Sequence, residues 1–420
     1  MSAFDKIIGY ESVKKELYRI IDMIKNPEKY KAFGAKLPKG LLIHGAPGVG
    51  KTMIANALIE EAGVPYVVLR HEMSGDSFCE HIKKSFESVS KNDGCSIVLL
   101  DDLDKFSMDE DDGEEFAIVQ ACIDSVKDKN VFVIATVNEM RRFPKSLIRS
   151  GRFDLNIKIE CPVGEEAVEI ITHYMENVKV AKSINYEDIA KMLTGNSCAT
   201  LESVINAAAI EAAFKGNEYI EMENFVNATL TDVYGLVNRC AEMTLEQKEA
   251  IAYHEAGHAV ISEILLPSSV GMVSLSYNSY SGLGGFMLPC KQQIRKAHSV
   301  LVSLGGKAAC EMKFGRVASG TGLDLRDAAY SLTESVANTA IAGLSLYELP
   351  DQASDGYLHA REQIVAAEMQ RYAFKAQEII ASNREFLDKV ANELLEKQTL
   401  LYSDIKRIRE SCVITPAVVG

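Results

Sequence analysis

The sequence predicts an α/β domain built on a parallel sheet, then a helical domain, and then a second, mainly α-helical domain. In the first 161 residues, short apolar strands alternate with helical segments, a pattern typical of a doubly wound parallel sheet. After Cys161-Pro162 the pattern is helical, with alanine, isoleucine and leucine at helical spacing. A longer helix-rich region begins near residue 243. We therefore expect domains at residues 1–161, 162–236 and 243–420.

The composition narrows the class of protein. The chain has 420 residues, of which 47% are hydrophobic and 25% charged, as in folded proteins with more than one core. Its net charge of −14 argues against a nucleic-acid partner, because phosphate backbones require clustered positive charge. Nine irregularly spaced cysteines indicate no disulfide framework and fit a reducing compartment. No apolar run approaches the ~18 residues of a transmembrane segment. We expect a cytoplasmic protein, with membrane association only if an anchor precedes this chain.

A glycine-rich turn between a short strand and a helix is the strongest motif of the first domain. The strand Leu41-Leu42-Ile43 leads into Gly45-Ala46-Pro47-Gly48-Val49-Gly50-Lys51-Thr52, which matches G-x-x-x-x-G-K-[ST], and the helix continues from Met53. The glycines let backbone N–H groups surround phosphate oxygens. Lys51 can then reach the β- and γ-phosphates, and the Thr52 hydroxyl can bind Mg²⁺. The sequence therefore predicts a nucleotide site at residues 45–53.

Two further strands end in polar residues. Ser96–Leu100 is followed by Asp101 and Asp102, and Val131–Ala135 leads to Asn138. Ligands bind at the carboxyl ends of parallel strands, so we expect Asp101 on the Mg²⁺ side of the site. Asp102 is expected to orient the attacking water as a base. Asn138 is expected to hold that water or the γ-phosphate.

Two arginines flank a glycine in the run Arg149-Ser150-Gly151-Arg152. Guanidinium groups stabilise the charge that develops on a transferred phosphoryl group. If these arginines act on a neighbouring subunit, the nucleotide site lies at a subunit interface. Surface ion pairing is their alternative use.

The third domain contains a metal-binding motif, His254-Glu255-Ala256-Gly257-His258, among good helix formers. On a helix both imidazoles lie on one face and can bind one Zn²⁺, with Glu255 as general base toward the attacking water. A catalytic zinc requires a third protein ligand. By spacing alone, four candidates remain open: Glu311, Asp324, Asp327 and His359.

These motifs, in this order, resemble the FtsH-type family of ATP-dependent zinc metalloproteases. The resemblance runs from Phe4 to near the C-terminus. Besides the glycine-rich turn it includes five stretches: Leu99–Asp104, Leu147–Asp154, Ala252–Ala259, Gly305–Ala309 and Ser319–Leu325. It implies an AAA+ module with a helical lid, followed by a helical zinc metalloprotease domain. It also implies a homo-hexamer that uses ATP, Mg²⁺ and Zn²⁺ and acts on polypeptides.

The resemblance also implies roles for single residues. Asp324 matches the family's zinc-binding aspartate, which opens a helix with the pattern seen in Asp324–Ala328. Arg149 and Arg152 match paired arginine fingers. The remaining matches are Ile8, Gly9 and His173 near the adenine, Glu311 as support for the metal ligands, and Gly284–Met287 as an edge strand for an extended substrate.

This chain departs from the family pattern at two positions and lacks the family's membrane segments. Asp102 stands where the family has glutamate, which predicts a working but slower ATPase. The stretch near Met73-Ser74-Gly75 carries no aromatic residue where the family has a pore loop, which predicts a weaker grip on an unfolding chain. A role in membrane-protein quality control therefore cannot simply be transferred.

The leading hypothesis is an enzyme that unfolds, translocates and degrades proteins. The alternative is a chaperone-like unfoldase or remodelling ATPase whose protease domain is idle. A nucleic-acid motor is a third class, which the acidic balance disfavours.

Overall fold

The computed structural model of the chain describes most of its residues, namely 2–71, 76–92, 94–106, 114–149, 151–236, 243–277, 284–290, 295–316, 321–339 and 355–418. They form two compact units. The first comprises Met1–Glu176 with Asn196–Ser203, and the second Asn177–Gly195 with Val204–Gly420. The expected pore-loop stretch near Met73-Ser74-Gly75 lies outside the described residues, as do Ser319 and Gly320 of the family resemblance.

A parallel sheet forms the centre of the first unit. Its described strands are β1 (Gly40–Gly45), β2 (Tyr66–Leu69), β3 (Ser96–Leu100), β4 (Val131–Val137) and β5 (Leu155–Ile159). They lie in the order β2-β3-β4-β1-β5, and the pairings are parallel. Strands β3 and β4 are buried along their whole length, as expected where helices cover both faces of a sheet. The predicted parallel α/β sheet is confirmed.

The helices of the first unit cover this sheet. They are α1 (Glu11–Lys25), α2 (Pro27–Lys31), α3 (Lys51–Ala62), α4 (Asp76–Val89), α5 (Glu114–Ser125) and α6 (Gly164–Met175). Short 3₁₀ turns occupy Ala3–Lys6, Leu103–Lys105 and Met140–Arg142. Phe78 and Phe86 of α4 pack with apolar side chains of β3, β4 and α5 in one buried cluster. This packing fixes the ends of β3 and β4, which carry the predicted carboxylates.

The second unit is mainly helical. Its helices are α7 (Tyr186–Met192), α8 (Cys198–Lys215, whose first residues are grouped with the first unit), α9 (Met222–Ala228), α10 (Leu245–Leu265), α11 (Lys296–Phe314), α12 (Thr321–Thr339), α13 (Asp355–Ser382), α14 (Arg384–Lys397) and α15 (Tyr402–Glu410). A π-helical turn spans Thr229–Val233. Residues 163–233 contain no strand in the structure, as the sequence predicts. Among the described residues, no helix combines the length and apolar character needed to cross a bilayer.

A small antiparallel sheet accompanies these helices. It consists of β6 (Val270–Tyr277), β7 (Gly284–Pro289) and β8 (Thr399–Leu401), in the order β7-β6-β8. Strand β7 is therefore an edge strand of this sheet as described. The predicted strand-like segment Met272–Met287 corresponds to β6 and β7, with residues 278–283 outside the described part.

The helix α10 lies at the centre of the second unit. It is buried from Ala252 through Ile264 and packs closely against α11. A Cβ on Gly257 would lie 2.3 Å from the carbonyl oxygen of Gly305, so the two helix backbones are in direct contact. This close crossing holds the His254–His258 face of α10 against α11.

Candidate functional site

Three predicted metal ligands converge in the second unit. His254 and His258 lie one turn apart on α10, and Asp324 lies in the first turn of α12. The Nε2 atoms of the two histidines are 3.1 Å apart. The Oδ2 atom of Asp324 lies 3.0 Å from His254 Nε2 and 3.6 Å from His258 Nε2. One nitrogen from each histidine and one carboxylate oxygen thus lie within 4.8 Å of one another.

The contacts around this cluster fit a bound cation. His258 Nδ1 lies 2.6 Å from the Val302 carbonyl oxygen, so Nδ1–H donates there and Nε2 is left free for a metal. Asp324 Oδ2 is buried and faces the two Nε2 atoms, with no other polar partner among the described residues. Two imidazole nitrogens and a carboxylate oxygen form the donor set of a catalytic zinc site with an open position.

The backbone of α11 touches both imidazoles at Gly306. A Cβ built there would lie 2.5 Å from His254 Nδ1 and 2.7 Å from His258 Nε2, closer than real Cβ atoms approach. Any larger residue would therefore displace the histidines, which makes this glycine a structural requirement of the cluster.

Glu255 is buried beside the cluster, with 5% of its surface exposed. Burial raises the pKa of its carboxyl, while the two histidines act in the opposite direction. At Asp324, burial also acts to raise the pKa, but the two histidines outweigh it and hold the pKa well below its usual range. The pKa values of the two carboxyl groups are therefore shifted in opposite directions. Asp324 suits an anionic metal ligand, and Glu255 suits a proton acceptor.

A cleft of about 470 Å³ opens onto these side chains. Its walls include the edge strand β7 at Gly284–Met287 and one face of α11 at Ser299, Val302 and Ser303. A Cβ on Gly285 would lie 3.0 Å from Glu255 Oε1, so the strand passes directly over the proposed base. An extended chain lying along β7 would therefore pass the candidate metal site.

The structure separates Asp324 from the other three candidate ligands. Asp327 also lines the cleft, but it is not part of the ligand cluster. The Glu311 carboxylate accepts hydrogen bonds from Lys307 and Gln377, so it does not support the histidines as expected. His359 is exposed, with Nε2 3.1 Å from Gln363 Nε2.

The glycine-rich turn of the first unit connects β1 to α3. Lys51 is 5% exposed, and its Nζ donates to the carbonyl oxygens of Gly45 and Ala46 at 2.9 and 2.8 Å. Burial lowers the pKa of its ammonium. Gly48 adopts a left-handed φ of +78°, and a Cβ there would lie 2.8 Å from Ser197 Oγ. The turn thus has the compact backbone of a phosphate-binding loop.

Asp101 lies beside this turn at the end of β3. Its Oδ1 accepts hydrogen bonds from Thr52 Oγ1 and Thr136 Oγ1, both at 2.8 Å. Its Oδ2 forms an ion pair with Arg70 Nε at 3.0 Å. A hydroxyl and a carboxylate placed in this way are the ligands that Mg²⁺ uses in phosphate-binding loops.

Asp102 and Asn138 meet at the ends of neighbouring strands. Asn138 Nδ2 lies 3.1 Å from Asp102 Oδ1, and Lys105 Nζ lies 2.7 Å from Asp102 Oδ2. Burial acts to raise the pKa of Asp102, but the bonds from Lys105 and Asn138 lower it overall. The structure therefore brings the predicted pair together and adds Lys105 to it.

The predicted adenine-side residues lie around α6. Gly9 has a left-handed φ of +70°, and a Cβ there would lie 2.7 Å from Glu166 Cγ of that helix. Ile8 precedes it and is half-buried. His173, on the same helix, is half exposed, with Nδ1 3.3 Å from Glu176 Oε1.

The two predicted arginine fingers differ in their contacts. Arg152 donates from Nε and Nη2 to the two carboxylate oxygens of Asp124 at 3.1 and 2.8 Å, and from Nη1 to the Ser146 carbonyl. Hydrogen bonds from Arg152 and, to a smaller extent, from Lys127 lower the pKa of Asp124 to about 2. The Arg149 side chain is exposed and makes no ion pair or hydrogen bond among the described residues.

Comparison with known proteins adds independent findings. Residues 41–161 match the model of the ATPase family associated with various cellular activities (AAA), and residues 241–408 match that of peptidase family M41. An ATP-dependent zinc metalloprotease FtsH of Lachnoclostridium phytofermentans is 30% identical over 436 residues, covering 96% of this chain and 74% of the relative. The chain belongs to the FtsH family.

Other FtsH relatives are longer than this chain. The FtsH proteins of Parabacteroides distasonis and Rhodothermus marinus are each 29% identical, over 440 and 443 residues. Both matches cover 96% of this chain but only 64% and 63% of the relatives. The chain thus spans less than two thirds of their length.

Several residues of these sites carry no role in the motif-based prediction. Thr136 and Arg70 bind Asp101, and each of these contacts depends on how two strand ends meet. Lys105 binds Asp102 three residues away, within the short turn that follows β3. Gly306 belongs to the predicted Gly305–Ala309 motif, yet only the packing of α10 on α11 shows why it must be glycine. Val302 acts through its backbone carbonyl, which no side-chain pattern reveals.

Proposed function

We propose that this chain is an ATP-dependent zinc metalloendopeptidase that unfolds, translocates and degrades proteins. The observation that carries the proposal is the convergence of His254, His258 and Asp324 beside the buried Glu255. The complete phosphate-binding turn and family membership support the ATP-dependent part.

In the peptidase unit, His254, His258 and Asp324 would hold Zn²⁺. When bound, zinc supplies a Lewis acid for the scissile carbonyl and the attacking water. Glu255 takes the proton of that water and returns it to the leaving amine, a role that fits a carboxyl whose pKa burial raises. The edge of β7 that pairs with no other described strand accepts an extended substrate by backbone hydrogen bonding.

In the nucleotide unit, residues Gly45–Met53 would surround the phosphates of ATP. Lys51 would exchange its loop carbonyls for phosphate oxygens, while Thr52 and Asp101 hold Mg²⁺. Asp102 and Asn138 orient the attacking water, and Ile8, Gly9 and His173 contact the base. Arg149 is exposed and suits a role toward a neighbouring copy, whereas Arg152 is anchored to Asp124 within its own chain.

Wider features of the protein are also proposals. We propose that six copies form a ring, and that the chain divides into an AAA+ domain (1–161), a lid (162–236) and a protease domain (243–420). Polypeptides are the proposed substrates. The cytoplasmic location expected from the sequence stays a prediction.

A casein degradation assay tests this function. We expect cleavage that requires ATP, disappears with a zinc chelator and returns when zinc is added. Glu255→Gln should abolish cleavage while ATP hydrolysis continues, and Lys51→Ala should abolish ATP hydrolysis. ATP hydrolysis without cleavage by the zinc-loaded wild type would contradict the proposal and favour the unfoldase with an idle protease domain.

A further inference from the structure

Arg70 and Asp101 occupy equivalent places on neighbouring parallel strands. Arg70 directly follows β2 and Asp101 directly follows β3, and the last residues of these strands, Leu69 and Leu100, are paired in register. The Asp101 backbone N–H donates to the Leu69 carbonyl at 2.9 Å. The two side chains therefore emerge at the same edge of the sheet, beside the glycine-rich turn.

The guanidinium of Arg70 neutralises the carboxylate that the proposed Mg²⁺ site depends on. Asp101 is 6% exposed, and its Oδ2 lies 3.0 Å from Arg70 Nε. The other side-chain bonds to this carboxylate come from the neutral hydroxyls of Thr52 and Thr136. Arg70 is thus the one cation within ion-pair distance of Asp101 among the described residues. About half of the Arg70 side chain is exposed, so it can move away from the carboxylate into solvent.

We propose that Arg70 is a positioning residue that competes with Mg²⁺ for Asp101. The inference rests on the proposed nucleotide site. A divalent cation beside Thr52 Oγ1 needs the negative charge of Asp101, directly or through a water. The guanidinium must move away from the Asp101 carboxylate before the cation can interact with it. Arg70 therefore raises the Mg²⁺ concentration at which the nucleotide binds tightly, and it leaves Asp101 paired when Mg²⁺ is absent.

The experiment measures binding of a fluorescent ATP analogue to the full chain, first in EDTA and then over a Mg²⁺ titration. The variants are Arg70→Met, which keeps the length without the charge, Arg70→Gln as a second neutral variant, and Arg70→Lys. Arg19→Met is the matched control, since Arg19 also forms a partly exposed ion pair, 3.9 Å from Glu16, on α1. Thermal unfolding is recorded for each protein.

We expect Arg70→Met and Arg70→Gln to lower the Mg²⁺ midpoint about three- to tenfold, the range for loss of one partly exposed charged contact. Arg70→Lys should retain part of the wild-type midpoint, and Arg19→Met all of it. A midpoint that is unchanged or higher in both neutral variants overturns the inference, even if their unfolding temperatures change. If the wild type does not bind the analogue at any Mg²⁺ concentration, or if Lys51→Ala binds it as tightly as the wild type, the proposed nucleotide site fails and the inference fails with it.

Discussion

Asp102 has a restricted position at the nucleotide site. Its backbone is left-handed, with φ of 55°, and both carboxylate oxygens are held, one by Asn138 and one by Lys105. The family pattern has the longer glutamate at this position, so the aspartate has less reach toward an attacking water.

We therefore predict that Asp102→Glu increases the steady-state rate of ATP hydrolysis several-fold. The added methylene gives the carboxylate the longer reach of the glutamate that the family resemblance implies at this position. Asp128→Glu, at an exposed turn, is the matched control and should leave the rate unchanged. A rate that is equal to or below that of the wild type would show that the shorter side chain does not limit hydrolysis.

The ion pair of Arg152 with Asp124 predicts a pH-dependent contribution to stability. The pKa of Asp124 is about 2 in the folded chain and about 3.9 in an unfolded one. A lowered pKa means that the pair stabilises the fold above the unfolded value and loses this effect as the pH falls toward 2.

Urea unfolding of Arg152→Ala should accordingly show a loss of stability at pH 7 that shrinks below about pH 4. Arg149→Ala should unfold like the wild type, because that side chain has no described partner. A stability difference for Arg152→Ala that stays constant from pH 7 to pH 3 would argue against the Asp124 pair as its source.

The site residues could be predicted from the sequence where they lie within a few residues of one another. His254 and His258 share a helix face, and residues 45–52 form one turn, so local sequence is sufficient for both. Asp324 could not be chosen over Asp327 by spacing, since both open the same helix. The packing of α12 on the other helices directs Asp324, and not Asp327, at the histidines, and the family resemblance implies the same ligand.

At the scale of elements, the crossing of α10 and α11 controls the metal cluster. Gly306→Ala would place a Cβ within 2.5 Å of the His254 ring, which must then move away from His258 and Asp324. We predict that the purified variant binds much less zinc than the wild type, as measured by elemental analysis.

Gly356→Ala, at the start of α13, is the matched control for this glycine. A Cβ there would meet no atom within 4 Å, so its zinc content should equal that of the wild type. Full zinc occupancy in Gly306→Ala would show that the close approach of α11 is not required.

Strands were predictable where they are buried and apolar. The predicted apolar segments Ser96–Leu100 and Val131–Ala135 correspond to β3 and to most of β4. Strand β2 is an apolar run of only four residues, Tyr66–Leu69, and is partly exposed, whereas β5 alternates polar with apolar residues; the sequence analysis identifies neither as a strand. Strand β8 has only three residues, and its pairing with β6 comes from a distant part of the chain.

At the scale of the whole molecule, the proposed ring predicts that subunits complement each other. In the proposed ring, the exposed Arg149 of one copy would complete the nucleotide site of the next copy across a heterologous interface. Lys51→Ala disables the nucleotide site of its own subunit but keeps Arg149. Arg149→Ala keeps the nucleotide site but lacks the arginine.

Each variant alone should hydrolyse little ATP, whereas an equal mixture should regain up to about a quarter of the wild-type rate if the subunits mix at random. The measurement is ATP hydrolysis before and after the subunits exchange. No recovery in a mixture shown to contain mixed oligomers would mean that Arg149 acts within its own chain, or not at all.

The account as a whole depends on three side chains that share one cation, and zinc analysis of two neighbouring aspartates tests this most directly. Asp327 lines the same cleft without joining the ligand cluster. We predict about one zinc ion per chain for the wild type and for Asp327→Asn, and far less for Asp324→Asn. Equal zinc content in all three proteins, or loss in Asp327→Asn alone, would contradict the account.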